Sequence, residues 1–345
     1  MTHPYYAAQN AKPPQRWKLY APFIGFAVLV LLYTVYWFYA ASEVKAEARA
    51  WIVEQEGYGY TITHDKLTVG GYPFRLNLIA EAPSITAPQA EGGWSARYDR
   101  LSATAMPYNF NHWILAFIGE GEVRTSEHQL GLAAERARLS FISRKGRFHE
   151  LGVELIDLHI TPSENANFPI KALEQFELTS AVDNEDGLQT RLALQGLTLQ
   201  GQNDPSLITS LGERIEMARF DSRITHSQYL LDEANPESWR AHEGRLNLAL
   251  LQVEWGNVRF GAQGDLALDD TARPEGRLSV LIEDPNAITD ALVEARMLSR
   301  DQGDALRLAA LMAPRREGGI ALPFRLQNGA LFLGPARLGD VDPLY

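Results

Sequence analysis

One uninterrupted apolar segment constrains this chain more than any other feature of its sequence. Residues 19–41 contain 23 consecutive residues without a charged side chain. A helix that crosses the hydrocarbon core of a membrane needs roughly 20 apolar residues. We therefore predict one transmembrane anchor at residues 19–41. Its apolar side chains include Leu19, Phe23, Phe26, Leu29, Leu32 and Trp37.

The charges on either side of this segment predict its orientation. Residues 1–18 contain Lys12, Arg16 and Lys18 and no acidic residue, whereas the other side begins with both signs, at Glu43 and Lys45. Basic residues next to a membrane helix stay in the cytoplasm. We expect a cytoplasmic N-terminus at residues 1–18 and export of residues 42–345. In a bacterium this describes a single-pass inner-membrane protein with its bulk in the periplasm.

A cleaved signal peptide is the alternative for the same segment. Residues 46–48 and 48–50 have the small-x-small form of a cleavage site. The apolar run is longer than the roughly 7–15 residues of a cleavable core. Its length favours a retained anchor, and both interpretations export the remainder of the chain.

Charge and cysteine content exclude several classes of function. The net charge is −11, and without the three basic residues of the N-terminus it is −11 − 3 = −14. Such a chain repels phosphate backbones, so we expect no nucleic-acid partner. The sequence contains no cysteine, which excludes disulfides, thiol catalysis and thiolate metal sites.

Beyond the apolar segment, the hydrophobic pattern predicts one helix followed by strands. Residues 42–56 continue as a juxtamembrane helix that ends at Gly57, and then apolar residues alternate with polar ones, most regularly at residues 258–268. This alternation predicts strands with one face on a core, and short turns between them predict antiparallel meanders. The fold class is therefore α+β, mainly β. We place a first β-rich half at residues 57–185 and a second at residues 186–345.

Three local features qualify this pattern. Apolar residues recur at helical spacing in residues 286–313, which predicts a late helical hairpin on the sheet. The alternation slips by one residue near Leu250, which predicts a β-bulge. The aromatic residues 108–117 are interpreted as a short helix or an exposed apolar loop.

No pattern of catalytic or metal-binding residues is present in the sequence. Nucleophile elbows, phosphate-binding loops, dinucleotide fingerprints and zinc-protease motifs are all missing. The acidic residues 183–187 lack the spacing of a calcium loop, so we interpret them as a turn. We therefore expect no cofactor, no metal and no enzymatic activity.

The positive features of the exported part are apolar. One-sided strands and an amphipathic helix pair beside a membrane anchor suit a groove for acyl chains, and ordinary packing into a closed core explains the same residues. The residues that we expect to line such a groove are Phe260, Leu266, Leu268, Leu278, Val280, Leu292 and Leu298.

Four stretches of the sequence carry a resemblance to a known family. They are the basic N-terminus with its anchor, the motif Gly71-Tyr72-Pro73-Phe74-Arg75, the segment 255–276, and the closing blocks at residues 322–326 and 329–335. Together they resemble the bacterial domain of unknown function family 2125. More distantly, the layout is similar to the AsmA-like envelope proteins, which are implicated in envelope integrity and lipid movement. The resemblance implies compartment and architecture and no catalytic residue.

These observations leave three hypotheses for function. The first is an anchored periplasmic protein that binds phospholipid or another acyl lipid, or assists envelope assembly with other envelope proteins. The second is an anchored scaffold with a closed core. The third is an envelope hydrolase whose catalytic residues are dispersed in the sequence.

Overall fold

The computed structural model describes residues 17–163, 168–200, 207–316 and 318–345. The predicted cytoplasmic segment, residues 1–18, lies outside the described residues except for the helical backbone of its last two. The side chain of Leu19 also lies outside them.

A single long helix, α1, opens the described chain. It runs from Trp17 to Gly57 without a break, so the predicted anchor and the predicted juxtamembrane helix are one element. Pro22 lies in its second turn. Among the described residues, it is the one helix long and apolar enough to cross a membrane.

The remainder of the described chain is mostly antiparallel β-structure, as predicted. The strands are β1 (Thr61–Thr63), β2 (Lys66–Gly70), β3 (Leu76–Glu81), β4 (Ser84–Thr86), β5 (Ser95–Met106), β6 (Asn109–Arg124), β7 (Gln129–Ala133), β8 (Arg136–Arg144), β9 (Arg147–Pro162), β10 (Ile170–Val182), β11 (Leu188–Leu199), β12 (Arg214–Ile224), β13 (Leu246–Trp255), β14 (Val258–Leu268), β15 (Pro274–Ile282), β16 (Arg315–Arg316), β17 (Gly319–Gln327), β18 (Ala330–Leu333) and β19 (Ala336–Asp340).

These strands form one antiparallel sheet with a meandering order. Its main path is β2–β3–β5–β6–β8–β9–β10–β11–β12–β13–β14–β15–β17–β18–β19. Strands β1 and β4 extend β5 at one edge, β7 pairs with β6 and β9, and β16 pairs with β17. The boundary that we placed after residue 185 falls in the turn between β10 and β11, which are neighbours in the sheet.

The other helices are short or lie late in the chain. They are α2 (Leu207–Leu211), α3 (Gln228–Leu231), α4 (Pro236–Ala241), α5 (Pro285–Glu294) and α6 (Arg300–Met312). Helices α5 and α6 form the predicted hairpin. Asp284 caps α5 by accepting the N–H groups of Asn286 and Ala287, and a Ser299–Gln302 capping box begins α6.

Two local predictions had opposite outcomes. The bulge near Leu250 is confirmed, because the register of β13 against β14 shifts between Leu248 and Leu251. The interpretation of residues 108–117 as a helix or loop is wrong, because β6 begins at Asn109 and pairs with β5 and β8. Phe110 lies on one face of the sheet and Trp113 and Phe117 on the other, so this aromatic segment has no regular alternation that would identify a strand.

The acidic turn between β10 and β11 is closed by an arginine from β12. One carboxylate oxygen of Asp183 accepts the N–H groups of Glu185 and Gly187, each at 2.9 Å. The other lies 2.6 Å from Nε of Arg223, whose Nη2 donates to Glu185 at 2.9 Å. The hydrogen bond from Arg223, with the two backbone donors, holds the pKa of Asp183 well below its usual range. The charge of the acidic turn is therefore balanced in part by Arg223 of the same chain.

We expect Asp183→Asn to destabilise the fold by about 1–2 kcal/mol at pH 7, because it removes a charge-assisted hydrogen bond from a mostly buried carboxylate. A carboxylate whose pKa is lower in the folded than in the unfolded protein stabilises the fold at pH values above the unfolded pKa of about 3.9. This stabilisation is lost as the pH falls toward the folded pKa. The difference between the two proteins in urea unfolding should therefore shrink below about pH 4. Asp221→Asn is the control, since its pair with Arg191 is exposed and contributes little.

Candidate functional site: an uncovered apolar face

Cross-strand pairing aligns apolar side chains in continuous rows on one face of the sheet, here called the apolar face. The first row takes one directly paired residue from each strand of the main path between β2 and β17. Its members are Val69, Leu78, Ala103, Leu115, Leu139, Val153, Leu178, Leu192, Phe220, Leu251, Ala262, Val280 and Leu322.

A second row runs beside the first, two residues away along each regularly paired strand. Its members are Leu67, Ala80, Leu101, Phe117, Ala137, Leu155, Phe176, Leu194, Ala218, Val253, Phe260, Ile282 and Ile320. Intervening positions point to the opposite face, where Thr179 pairs with Arg191 and Arg191 pairs with Asp221. The sheet is thus apolar on one side and largely polar on the other.

The N-terminal helix covers one end of the apolar face. Trp37, Ala40 and Ala41 of α1 form a buried cluster with Leu76 of β3, and Val69 of the first row packs against it. Leu76 is fully buried and Trp37 is 3% exposed. The row therefore begins in direct contact with the helix that carries the long apolar segment.

The helical hairpin covers the other end of the same face. Ile282, Leu306, Leu322 and Leu333 form a second buried cluster, in which Leu306 comes from α6, and Ile288 of α5 packs against it. Phe260 and Val280 from the two rows pack against this cluster. Both ends of the apolar face are therefore closed by helices.

The middle of the face has no such cover in the described part of the chain. Each of the ten residues that the two rows take from β9–β13 is half-buried, and the two buried clusters lie outside these strands. The short helices lie in connections between strands: α2 contacts α5, and α4 packs Trp239 at the end of β12. The five strands β9–β13 span about 19 Å at a spacing of about 4.8 Å.

The total surface area agrees with a single uncovered layer. The accessible surface is 22656 Å² for a mass of 38.5 kDa. A compact monomer of this mass exposes about 14,000 Å². The exposed α1 and a sheet with neither face fully buried both contribute to the excess.

The structure places the residues expected to line a groove near the far end of the face. Phe260, Val280 and Leu298 pack against the second buried cluster. Leu292 and Leu298 line a cleft of about 360 Å³ between the hairpin and β17–β19. The remaining three, Leu266, Leu268 and Leu278, are half-buried on β14 and β15. The sequence did not predict the uncovered middle on β9–β13, because each strand has an ordinary pattern and the surface arises only when the strands pair.

Four of the residues named for the predicted anchor are exposed on the surface of α1. Phe23, Phe26, Leu29 and Leu32 are each more than 60% exposed on α1. Trp37 differs, because it is buried against the sheet and its Nε1 donates to the carbonyl of Arg75 at 3.2 Å.

The Gly71–Arg75 motif forms the turn between β2 and β3, against α1. The hydroxyl of Tyr33 donates to the carbonyl of Pro73, and the Tyr72 hydroxyl lies 2.7 Å from Oγ1 of Thr34. Gly71 has φ of +99°, and a Cβ there would lie 2.6 Å from the carbonyl oxygen of Arg75, so the turn requires glycine. The motif therefore forms a tight turn that packs against α1.

Polar features of the described chain form no evident reactive centre. Two surface clefts of about 440 and 710 Å³ lie over β13–β17 and are lined in part by polar-face residues such as Gln252, Gln263 and Arg277. Among the described residues, no three acidic or histidine side chains lie close enough together to hold a metal ion.

Comparison with known proteins gives one match. The model of a bacterial family described as "uncharacterized protein conserved in bacteria (DUF2125)" matches residues 37–342. No curated protein and no solved structure matches the chain. The matched region begins at Trp37, the helix residue that packs on the sheet, and it includes both buried clusters.

Proposed function

The chain belongs to the DUF2125 family, and from that premise we propose that it is a membrane-anchored protein whose apolar face binds the acyl chains of lipids. The observation that carries the proposal is the pair of apolar rows that begins at α1 and remains half-buried across β9–β13. The bulk of the chain lies in the periplasm and the anchor in the inner membrane.

Packing of α1 supports a retained anchor over a cleaved signal peptide. Cleavage at either small-x-small site, residues 46–48 or 48–50, would remove Trp37, Ala40 and Ala41 from the first buried cluster. Leu76, which is fully buried, would then be exposed to water. A segment that completes the core of the mature fold is unlike a signal peptide, which is discarded. The basic residues before the helix support a cytoplasmic N-terminus.

The chemistry of the face supports an acyl ligand. Acyl chains need a long dry surface and few hydrogen bonds, and each CH₂ group removed from water contributes about 0.8 kcal/mol. A contiguous apolar patch of this length on a soluble domain marks an interaction site. Phospholipid is the acyl compound that the adjacent membrane supplies, because the apolar face begins beside the anchor. The role is binding and not catalysis.

The main alternative is a scaffold whose apolar face is covered by another envelope protein or by a second copy of the chain. The two half-buried rows would then be buried against the surface of that protein partner. Lipid occupancy of the purified protein separates the two hypotheses, since a protein partner leaves no acyl ligand behind.

The test is native mass spectrometry of the full-length protein, released from bacterial envelopes in mild detergent, with parallel lipid extraction. We expect lipid-bound masses that correspond to phospholipid and persist at activation energies that remove detergent. The intact mass should also contain residues 1–50. A clean apo mass that takes up no added phospholipid would contradict acyl binding, and a mass lacking the N-terminal residues would contradict the retained anchor.

A further inference from the structure

We infer that two turns of the sheet, residues 71–75 and 106–110, insert into the outer leaflet of the membrane that α1 crosses. These are here called the membrane turns. The inference rests on the proposed anchor and adds a second contact with the bilayer. Its observations are the depth at which the turns meet α1, their exposed apolar side chains and the pairing of their backbone carbonyls.

The turns meet α1 inside the apolar segment and not beyond it. Tyr33 and Trp37 of the helix donate to the carbonyls of Pro73 and Arg75, and Tyr36 donates to the carbonyl of Pro107 at 2.6 Å. At 1.5 Å per residue, these helix positions lie about 21–27 Å from residue 19. The hydrocarbon core is about 30 Å thick. A membrane that begins at residue 19 therefore reaches the level of both turns, and tilting the helix places them deeper.

Five side chains of the two turns are large, mainly apolar and exposed. Phe74 is 79% exposed and Tyr108 is 81% exposed, and Tyr72, Met106 and Phe110 are each more than 40% exposed. In water, such a group of exposed aromatic side chains has an unfavourable free energy. At a membrane interface, aromatic rings of this kind are favoured. The five side chains lie on two turns held to the same stretch of helix, so they face one environment together.

Four backbone carbonyls of the turns accept hydrogen bonds, which suits a medium of low polarity. Carbonyl groups exposed to lipid are costly unless they accept a hydrogen bond. The carbonyls of Pro73, Arg75 and Pro107 all accept from α1 side chains, and the carbonyl of Gly71 accepts the N–H of Arg75 at 3.1 Å. Pro73 and Pro107 have no N–H to satisfy. Arg75 is exposed at the end of one turn, where a flexible cation can reach lipid phosphates.

Insertion also gives the apolar face a fixed position. The turn at residues 71–75 leads directly into β3, whose Leu76 and Leu78 belong to the buried cluster and to the first row. The turns therefore join the outer leaflet to the end of the apolar face that α1 covers. The membrane turns and α1 together hold this end of the sheet at the bilayer.

The test uses single cysteines, because the natural chain has none. The variants Phe74→Cys and Tyr108→Cys are labelled with an environment-sensitive fluorophore and reconstituted in phosphatidylethanolamine–phosphatidylglycerol nanodiscs. Leu29→Cys marks the predicted span. Ala90→Cys, exposed in the short helical turn Gln89–Glu91 beside the far end of α1, marks the aqueous side. Circular dichroism melting verifies that each labelled protein is folded.

We expect lipids spin-labelled near the top of the acyl chain to quench the probes at positions 74 and 108, with blue-shifted emission. Ala90→Cys should be quenched by iodide and not by these lipids. If position 29 is quenched by deep spin labels while 74 and 108 behave like 90, the membrane turns lie in water and the inference is wrong. If position 29 is also unquenched, the anchor itself fails and the inference falls with it.

Discussion

Replacing Trp37 by alanine should destabilise the sheet by about 3–5 kcal/mol, the cost of removing a buried tryptophan from a core. Trp37 is 3% exposed and contacts Leu76 in the cluster that joins α1 to the sheet. Its ring also lies edge-on against Tyr72, at 5.4 Å between centroids, and its Nε1 pairs with the carbonyl of Arg75. The change therefore removes packing, an aromatic contact and a hydrogen bond donor together.

The measurement is thermal or urea unfolding of the detergent-solubilised protein, followed by circular dichroism in the β-sheet region. Phe26→Ala is the matched control, because Phe26 lies on the same helix and is 69% exposed. It removes an aromatic ring from the apolar segment without touching the sheet. Equal stabilities for the two variants would show that α1 is only tethered to the sheet, and would remove the packing argument for a retained helix.

Sequence periodicity predicted those parts of the fold that depend on local pattern. Alternation over residues 258–268 became β14, and helical spacing over residues 286–313 became α5 and α6. The slip near Leu250 became a register shift. In each case a buried face selects residues along one element, so the period of that element is visible in the chain.

Contacts between distant residues were not predictable in this way. Trp37 looks like any aromatic residue near the end of a membrane segment, and its burial depends on a turn almost forty residues away. The apolar face has the same origin, because Leu139, Leu178 and Leu192 are aligned by strand register. Register depends on turn length and bulges, which a single sequence specifies only weakly.

Replacing Leu178 and Leu192 together by glutamine should weaken acyl binding by about three orders of magnitude. The two residues are paired across β10 and β11 in the middle of the first row, and both are half-buried. Each leucine is worth about 1 kcal/mol of further burial under a ligand. Each new amide costs about 1–3 kcal/mol when an acyl chain covers it without offering a hydrogen bond. The lower ends of these values sum to about 4 kcal/mol, which corresponds to nearly 1000-fold in affinity.

The control pair lies one residue along on the same strands. Thr179 and Arg191 are paired with each other and face the opposite side of the sheet. The double change Thr179→Gln and Arg191→Gln keeps the strands and the kind of substitution and alters the polar face alone. Phospholipid uptake by native mass spectrometry, or displacement of a fluorescent fatty acid, should fall for the leucine pair and not for the control. Equal uptake by both variants would place the lipid elsewhere, whereas loss in both with normal melting would mean that uptake depends on the sheet as a whole. Only a difference between two faces of the same two strands assigns the acyl chain to the apolar one.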